Sequence, residues 1–191
     1  MDREAKLKRI YEAAIKIFSV YGYKKTTIED IASELGWTKG ALYKYVEGKE
    51  DLYSKSVCYL LKIWQQKAID AANNTQDILR KFEVMCEVAL RQLVSDERLK
   101  RLLILDPEIF PLTFKEDPYK EINNQSRGFL KSILDEGVKE GRFRITDTEL
   151  LSNVLFSIYK ALILETCTVS EEDATRVFEM AIELVTKGFY N

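Results

Sequence analysis

From Leu7 to Phe189 the apolar positions recur every third or fourth residue and no stretch alternates strictly, so the chain reads as helix throughout. Leu7, Ile10, Ala14, Ile17 and Phe18, with Tyr21 beyond, form a stripe that predicts a first helix ending near Val20, with Gly22 as its break. A short second helix is predicted from Thr26 or Thr27. Thr26-x-x-Glu29 has the spacing of a capping box, in which the threonine oxygen and the glutamate each satisfy a free backbone N–H. Ile28, Ile31, Ala32 and Leu35 form its buried face, Gly36 ends it, and Thr38 caps a third helix. A fourth starts at Lys49-Glu50-Asp51, whose acids suit the positive end of the helix dipole, and runs to about Ala72. After a turn over Asn73 to Gln76, helices are predicted over Asp77 to Val94, Asp96 to Leu105 and Pro118 to Lys139, the last broken by Glu140 to Arg142. Thr146-x-x-Glu149 is a second capping-box pattern, leading into LLSNVLFSIYKALILE, a helix apolar on nearly all sides. Ser170-x-x-Asp173 opens the final helix, whose stripe is Ala174, Val177, Phe178, Ala181, Ile182, Val185 and Phe189. The fold class is therefore all-α.

Composition narrows the chemistry. With 191 residues, 46% of them hydrophobic, and only 8 Gly and 3 Pro, the chain can bury a substantial core as one domain or one plus a small appendage. No run approaches the roughly 18 apolar residues of a membrane span, and MDREAKLKRI lacks the apolar segment of a signal peptide, so no membrane partner and a cytoplasmic location are expected. Cys58, Cys86 and Cys167 are far apart and never form CxxC, which points to buried thiols rather than a disulfide framework or zinc knuckle. The chain contains no histidine at all, which removes Ser-His-Asp triads, Cys-His pairs and imidazole metal sites. There is also no phosphate loop and no isolated acid pair on an apolar face; hence no catalytic residue, metal or cofactor is expected. The net charge of −2 argues against a nucleic-acid binder, but it is unevenly shared. Residues 1–50 hold 10 Lys/Arg against 8 Asp/Glu, and the remainder 19 against 23, which permits DNA contact at the N-terminal end without requiring it.

The second and third helices, joined by a tight Gly-containing turn, make a helix-turn-helix arrangement, and the first helix can bury their apolar faces as a three-helix unit. The third is too short to be stable alone. Thr38, Lys39, Tyr43, Lys44 and Tyr45, with Lys49 just beyond, project hydroxyls and ammonium groups suited to phosphate oxygens. The small Gly40 and Ala41 would let the backbone approach base edges. On spacing alone, a solvated helical hairpin fits equally well. The run from Thr26 to Leu52, however, resembles the DNA-binding segment of the TetR family of transcriptional regulators. It has paired threonines, Ile-x-x-Ala-x-x-x-Gly, Thr-Lys-Gly opening the recognition helix, Leu-Tyr-x-Tyr and Lys-Glu-x-Leu. With the first helix, the likeness covers about 45 residues. It departs where the family often has histidine after the first tyrosine and phenylalanine after the second: Lys44 keeps a phosphate-capable cation, and Val46 shrinks a core contact. The resemblance implies that Thr27, Thr38, Tyr43, Tyr45 and Lys49 hold the DNA backbone while Lys39, Gly40 and Ala41 face the bases. Trp37 either packs or touches a thymine methyl.

The resemblance also implies a division into a head, residues 1–47, and an effector-binding and dimerisation body, residues 48–191. A helix apolar all round must be covered all round, which suggests a two-fold contact through the last two helices. Leu151, Val154, Leu155, Ile158, Leu162, Val177, Phe178, Ala181, Ile182 and Val185 are the expected interface, with the central helix of a monomer as the alternative. All three prolines fall between Leu105 and Pro118, a segment that cannot be one helix. Phe110, Phe114 and Tyr119 beside it, with Trp64, Phe82 and Phe156 on the bundle helices, are candidate ligand contacts, though ordinary core packing explains any one of them. The expected protein is a homodimeric repressor on a palindromic operator in double-stranded DNA, released by a small hydrophobic or amphipathic ligand. A helical scaffold without DNA affinity is the alternative.

Overall fold

A hydrophobic face every three to four residues leaves this chain one way to bury its apolar surface, helix against helix. The computed structural model describes residues 2–109, 117–144 and 146–189, and among them the regular elements are nine α-helices and one 3₁₀ turn. In the head, α1 (Arg3–Lys25), α2 (Ile28–Glu34) and α3 (Lys39–Leu42) pack around Ile10, Ala14, Phe18, Ile31 and Leu42. α1 breaks where expected: Gly22 sits at φ 78°, a conformation that favours glycine, and the chain then makes one further turn to Lys25.

The start of α2 differs from the expected capping box. Thr27, not Thr26, is the cap, and Asp30, not Glu29, returns the bond: Asp30 N–H donates to Thr27 Oγ1 (3.2 Å) and Thr27 N–H to Asp30 Oδ2 (2.7 Å). Thr26 is instead buried, its hydroxyl donating to the Gly22 carbonyl (2.8 Å), which closes the broken end of α1. The shift frees Glu29 for another partner. Gly36, at φ 68°, makes the turn to α3.

α4 (Lys49–Asn73) has 25 residues and so runs roughly 37 Å, from the head into the body. α5 (Ile78–Ser95), α6 (Glu97–Leu105), α7 (Lys120–Lys139), α8 (Thr148–Thr166) and α9 (Glu171–Phe189) complete the bundle, with a 3₁₀ turn over Pro107–Ile109 between α6 and α7. α5 makes the most extensive contact with α4, while α1 packs on both α4 and α6. The expected box at Thr146 is also displaced, since Asp147 caps α8 by accepting from Leu150 N–H (2.8 Å). At α9 the expected pair forms: Asp173 N–H donates to Ser170 Oγ (3.1 Å). α7 begins at Lys120, two residues later than expected, because Asp117 Oδ1 accepts from Tyr119 N–H (2.9 Å) and holds a turn ahead of it.

Apolar packing crosses from the head into the body. One apolar cluster runs from Ile10 and Phe18 through Leu42, Val46, Leu52 and Leu60 to Trp64, Leu93, Leu102 and Phe178. A second, formed by Ala72, Ile78, Phe82, Leu130, Ile133, Leu134, Phe143 and Leu155, fills the far end. There Gly137 meets the Phe143 ring so closely that a Cβ would stand 2.1 Å from it. Its carbonyl accepts from Arg142 N–H (2.9 Å) and Phe143 N–H (3.1 Å), folding the chain back at the end of α7. No described helix is long and apolar enough to cross a membrane.

Candidate functional site

The short α3 is held by its flanks. Thr38 accepts from Ala41 N–H (3.2 Å), Leu42 is completely buried, and a further turn over Tyr43–Tyr45 closes with Tyr45 N–H on the Leu42 carbonyl (2.9 Å). Opposite Leu42, Thr38, Lys39, Gly40, Tyr43 and Lys44 are all exposed, and nothing lies within 4 Å of where a Gly40 Cβ would stand. Ala41 is half-buried beside them. The Lys39 ammonium pairs with the Glu29 carboxylate on α2 and lies 5.9 Å from the centre of the Tyr43 ring. Its hydrogen bond to Lys39 holds the Glu29 carboxyl below the usual carboxylate range and, reciprocally, holds the lysine above its own. Glu29 is a member of this surface that sequence reasoning had assigned to a cap. Thr27 is exposed at the start of α2 with its oxygen engaged in the cap, and Lys24 and Lys25 stand exposed just before it.

Two residues expected on the DNA backbone lie further in. Tyr45 is half-buried with its ring 5.7 Å from that of Trp37, so Trp37 packs within the head. The half-buried Lys49 donates to the Tyr23 carbonyl (3.0 Å) and stands 4.4 Å from the Tyr23 ring centre. It thus ties the first turn of α4 to the end of α1. From that junction an aromatic path continues inward: Tyr23 lies 5.0 Å and Phe18 4.9 Å from Tyr53, whose hydroxyl donates to Asp106 Oδ2 (2.6 Å) at the end of α6. Burial, and secondarily Asp106, pushes the Tyr53 phenol well above its usual pKa.

In the body, α4, α5, α7, α8 and α9 surround an apolar cavity of about 1030 Å³, counting the solvent at its mouth. Trp64, Phe82 and Phe156 line it. Tyr119 does not; it is buried near Asp106, and Phe110 and Phe114 lie outside the described residues. Gln65, Asn123, Ser126 and Tyr159 supply the polar part of the wall. A sequence signal for the first existed: Leu61, Trp64, Gln65 and Ala68 share one helical face, and Gln65 is the polar position on it.

The expected dimer residues do not share one environment. Leu155 and Phe178 belong to the protomer's own core at 7% and 2% exposure, which removes both from any outer face. Leu155, Ile158, Leu162, Phe178, Ala181, Ile182 and Val185 line the cavity, because α8 and α9 are its outer wall. Val154, Ile158 and Val177 are exposed, and with them Leu150, Met180 and Leu184, the last two at 70% and 77%. Leu151 is half-buried.

Residues 10–55 match the family of bacterial regulatory proteins named tetR. The chain is 29% identical over 162 residues to the HTH-type transcriptional regulator YhgD of Bacillus subtilis, covering 83% of this chain and 82% of that protein. Over 49 residues it is 41% identical to the HTH-type negative transcriptional regulator IcaR of the biofilm operon icaADBC in Staphylococcus epidermidis, 26% of each chain. The fold is also that of the transcriptional regulator FadR from Bacillus subtilis in complex with stearoyl-CoA, with a TM-score of 0.75 at 19% identity over 95% of this chain and 98% of that one.

Proposed function

Because the chain is a TetR-family DNA-binding transcriptional regulator, we propose that it acts in the cytoplasm as a homodimeric repressor of a palindromic operator, released by a small hydrophobic or amphipathic ligand. The observation that carries this reading is the exposed turn Thr38–Lys44, with its hydroxyls, ammonium groups and bare Gly40 backbone, on a head packed directly against a hollow body. Lys44, Thr38, Tyr43 and Thr27 contact phosphates, while Lys39, Gly40 and Ala41 meet base edges once Lys39 exchanges Glu29 for DNA. Tyr45 and Lys49 orient the turn from behind. The exposed apolar residues of α8 and α9, Leu150, Val154, Ile158, Val177, Met180 and Leu184, are covered by a second copy. Two recognition turns about 34 Å apart then enter successive major grooves on one face of the duplex. Repression follows from occupancy of the operator, and the negative regulator IcaR, similar over the head, supports that sign.

Selection of bound duplexes from a random pool tests the reading. A palindrome is expected, bound by a species of twice the chain mass, with affinity that falls steeply as salt rises. A single-chain species indifferent to oligonucleotides overturns it. Tyr43→Phe is expected to weaken all sequences alike and Lys39→Ala to change the preferred bases.

A further inference from the structure

The walls of the cavity restrict what it can hold. Among the described residues no Asp, Glu, Lys or Arg lines it, and its ionisable groups are Cys86 and Tyr159. Burial, with Glu87 and Glu83 on the same helix, pushes the Cys86 thiol up to about 12, and burial together with Cys86 pushes the Tyr159 phenol well up. Both are neutral at any ordinary pH. Lys160, whose ammonium stands 5.6 Å from the Phe156 ring, and Asp117 and Arg127, whose charges act on it, are not part of the lining.

Tyr159 packs among Trp64, Phe156 and Phe178, with ring centres 6.1–6.3 Å away. Its hydroxyl makes no hydrogen bond to any described residue, yet no fully enclosed polar side-chain atom is without a partner. The hydroxyl therefore opens onto free space. Since the three rings around it are themselves cavity lining, that space is the cavity. On the α4 and α7 walls, Gln65 Nε2 donates to the Ile122 carbonyl (2.9 Å) and to Ser126 Oγ (2.8 Å). A carbonyl can only accept, so the orientation of the amide is settled, and Oε1 is left as an acceptor.

Resting on the reading of this cavity as the effector site, we propose that the enclosed part of the ligand is uncharged and largely apolar, and carries a hydrogen-bond acceptor that takes the Tyr159 O–H. An ester, thioester, ketone or primary alcohol meets this description. An ionised carboxylate does not, because the wall offers it no counter-charge and an unpaired buried ion is strongly disfavoured. A fatty acid enters only after taking up a proton.

The test uses the protein with Trp37→Phe, so that Trp64 in the cavity wall is the sole tryptophan and is excited selectively, titrated with methyl decanoate, decanoate and decylamine at pH 6 and pH 8. Methyl decanoate is expected to bind equally at both. Decanoate, taken up as the acid, is expected to bind about a hundredfold more weakly at pH 8 than at pH 6, tenfold per pH unit. Decylamine, a cation at both, is expected not to bind. Tyr159→Phe is expected to weaken methyl decanoate roughly five- to tenfold and to leave hexane, which has no acceptor, unchanged. Decanoate binding that matches the ester and ignores pH overturns the inference and leaves the effector cavity standing. Failure of every probe to bind overturns both. If Tyr159→Phe does not fold, the pH slope with the Trp37→Phe protein decides.

Discussion

In the head, Ile10, Ala14, Phe18, Ile31 and Leu42 are each at most 1% exposed, and the starts of α1, α2 and α3 are all capped by a side chain. In the body, five helices of 18 to 25 residues line a cavity of about 1030 Å³, solvent at its mouth included, and leave Leu150, Val154, Ile158, Met180 and Leu184 exposed. The same packing rules thus build a filled unit and a hollow one. A filled core admits one arrangement and suits a surface that must present groups to a duplex in fixed geometry. A hollow one has unmade contacts that a ligand can complete, so its shape is the adjustable part. The two are joined by α4, by the Lys49 hydrogen bond to the Tyr23 carbonyl and by the packing of Phe18 on Tyr53, so movement in the body has a route to the head.

The contrast can be broken at several places. The largest effect is expected from Phe18→Ala, which removes the ring packed on Tyr53 and costs about 3–5 kcal/mol in a denaturant titration, unfolding head and body together because their core is continuous. A smaller and more diagnostic effect comes from adding volume. Ala14→Leu in the filled head costs about 1–3 kcal/mol, whereas Ala181→Leu on the cavity wall costs under about 1 kcal/mol or stabilises, and blocks methyl decanoate. Equal penalties at the two sites, read from melting curves, would erase the distinction. Thr27→Ala, which deletes the cap of α2, is expected to cost about 1 kcal/mol and to lower DNA affinity through a loosened turn.

The smallest effect is a dependence on pH. The hydroxyl and N–H of Thr27 hold the Asp30 carboxyl below its ordinary 3.8. The stabilisation from this pair is therefore fully present above that value and is lost as the pH falls through the lowered one. Melting curves of the parent and Asp30→Asn should differ at neutral pH and converge near pH 2.

Sequence periodicity located every helix, because a surface helix needs its stripe wherever it packs. It failed by one residue at two caps, at Thr26 against Thr27 and at Thr146 against Asp147, since adjacent Thr, Asp and Glu can each serve and only backbone geometry selects among them. The exposed turn from Thr38 to Lys44 was legible because its pattern is local. The inward roles of Tyr45 and Lys49 were not, because Trp37 and the Tyr23 carbonyl reach them only through tertiary folding. The cavity was half legible: Trp64, Phe82 and Phe156 stand on inner faces, but a void has no sequence signature. The exposed side of α9 carries Met180 and Leu184 off the main stripe, where periodicity discards them.

The central claim is that occupancy of the hollow body changes how the filled head holds DNA. The direct measurement is the dissociation constant of the selected palindromic duplex, by fluorescence anisotropy at fixed salt, with and without saturating methyl decanoate. A rise of roughly 5- to 150-fold is predicted for the parent protein, reciprocated by an equal loss of ligand affinity on DNA, and no rise for Ala181→Leu. A ligand that binds the cavity while the DNA affinity stays unchanged would contradict the account.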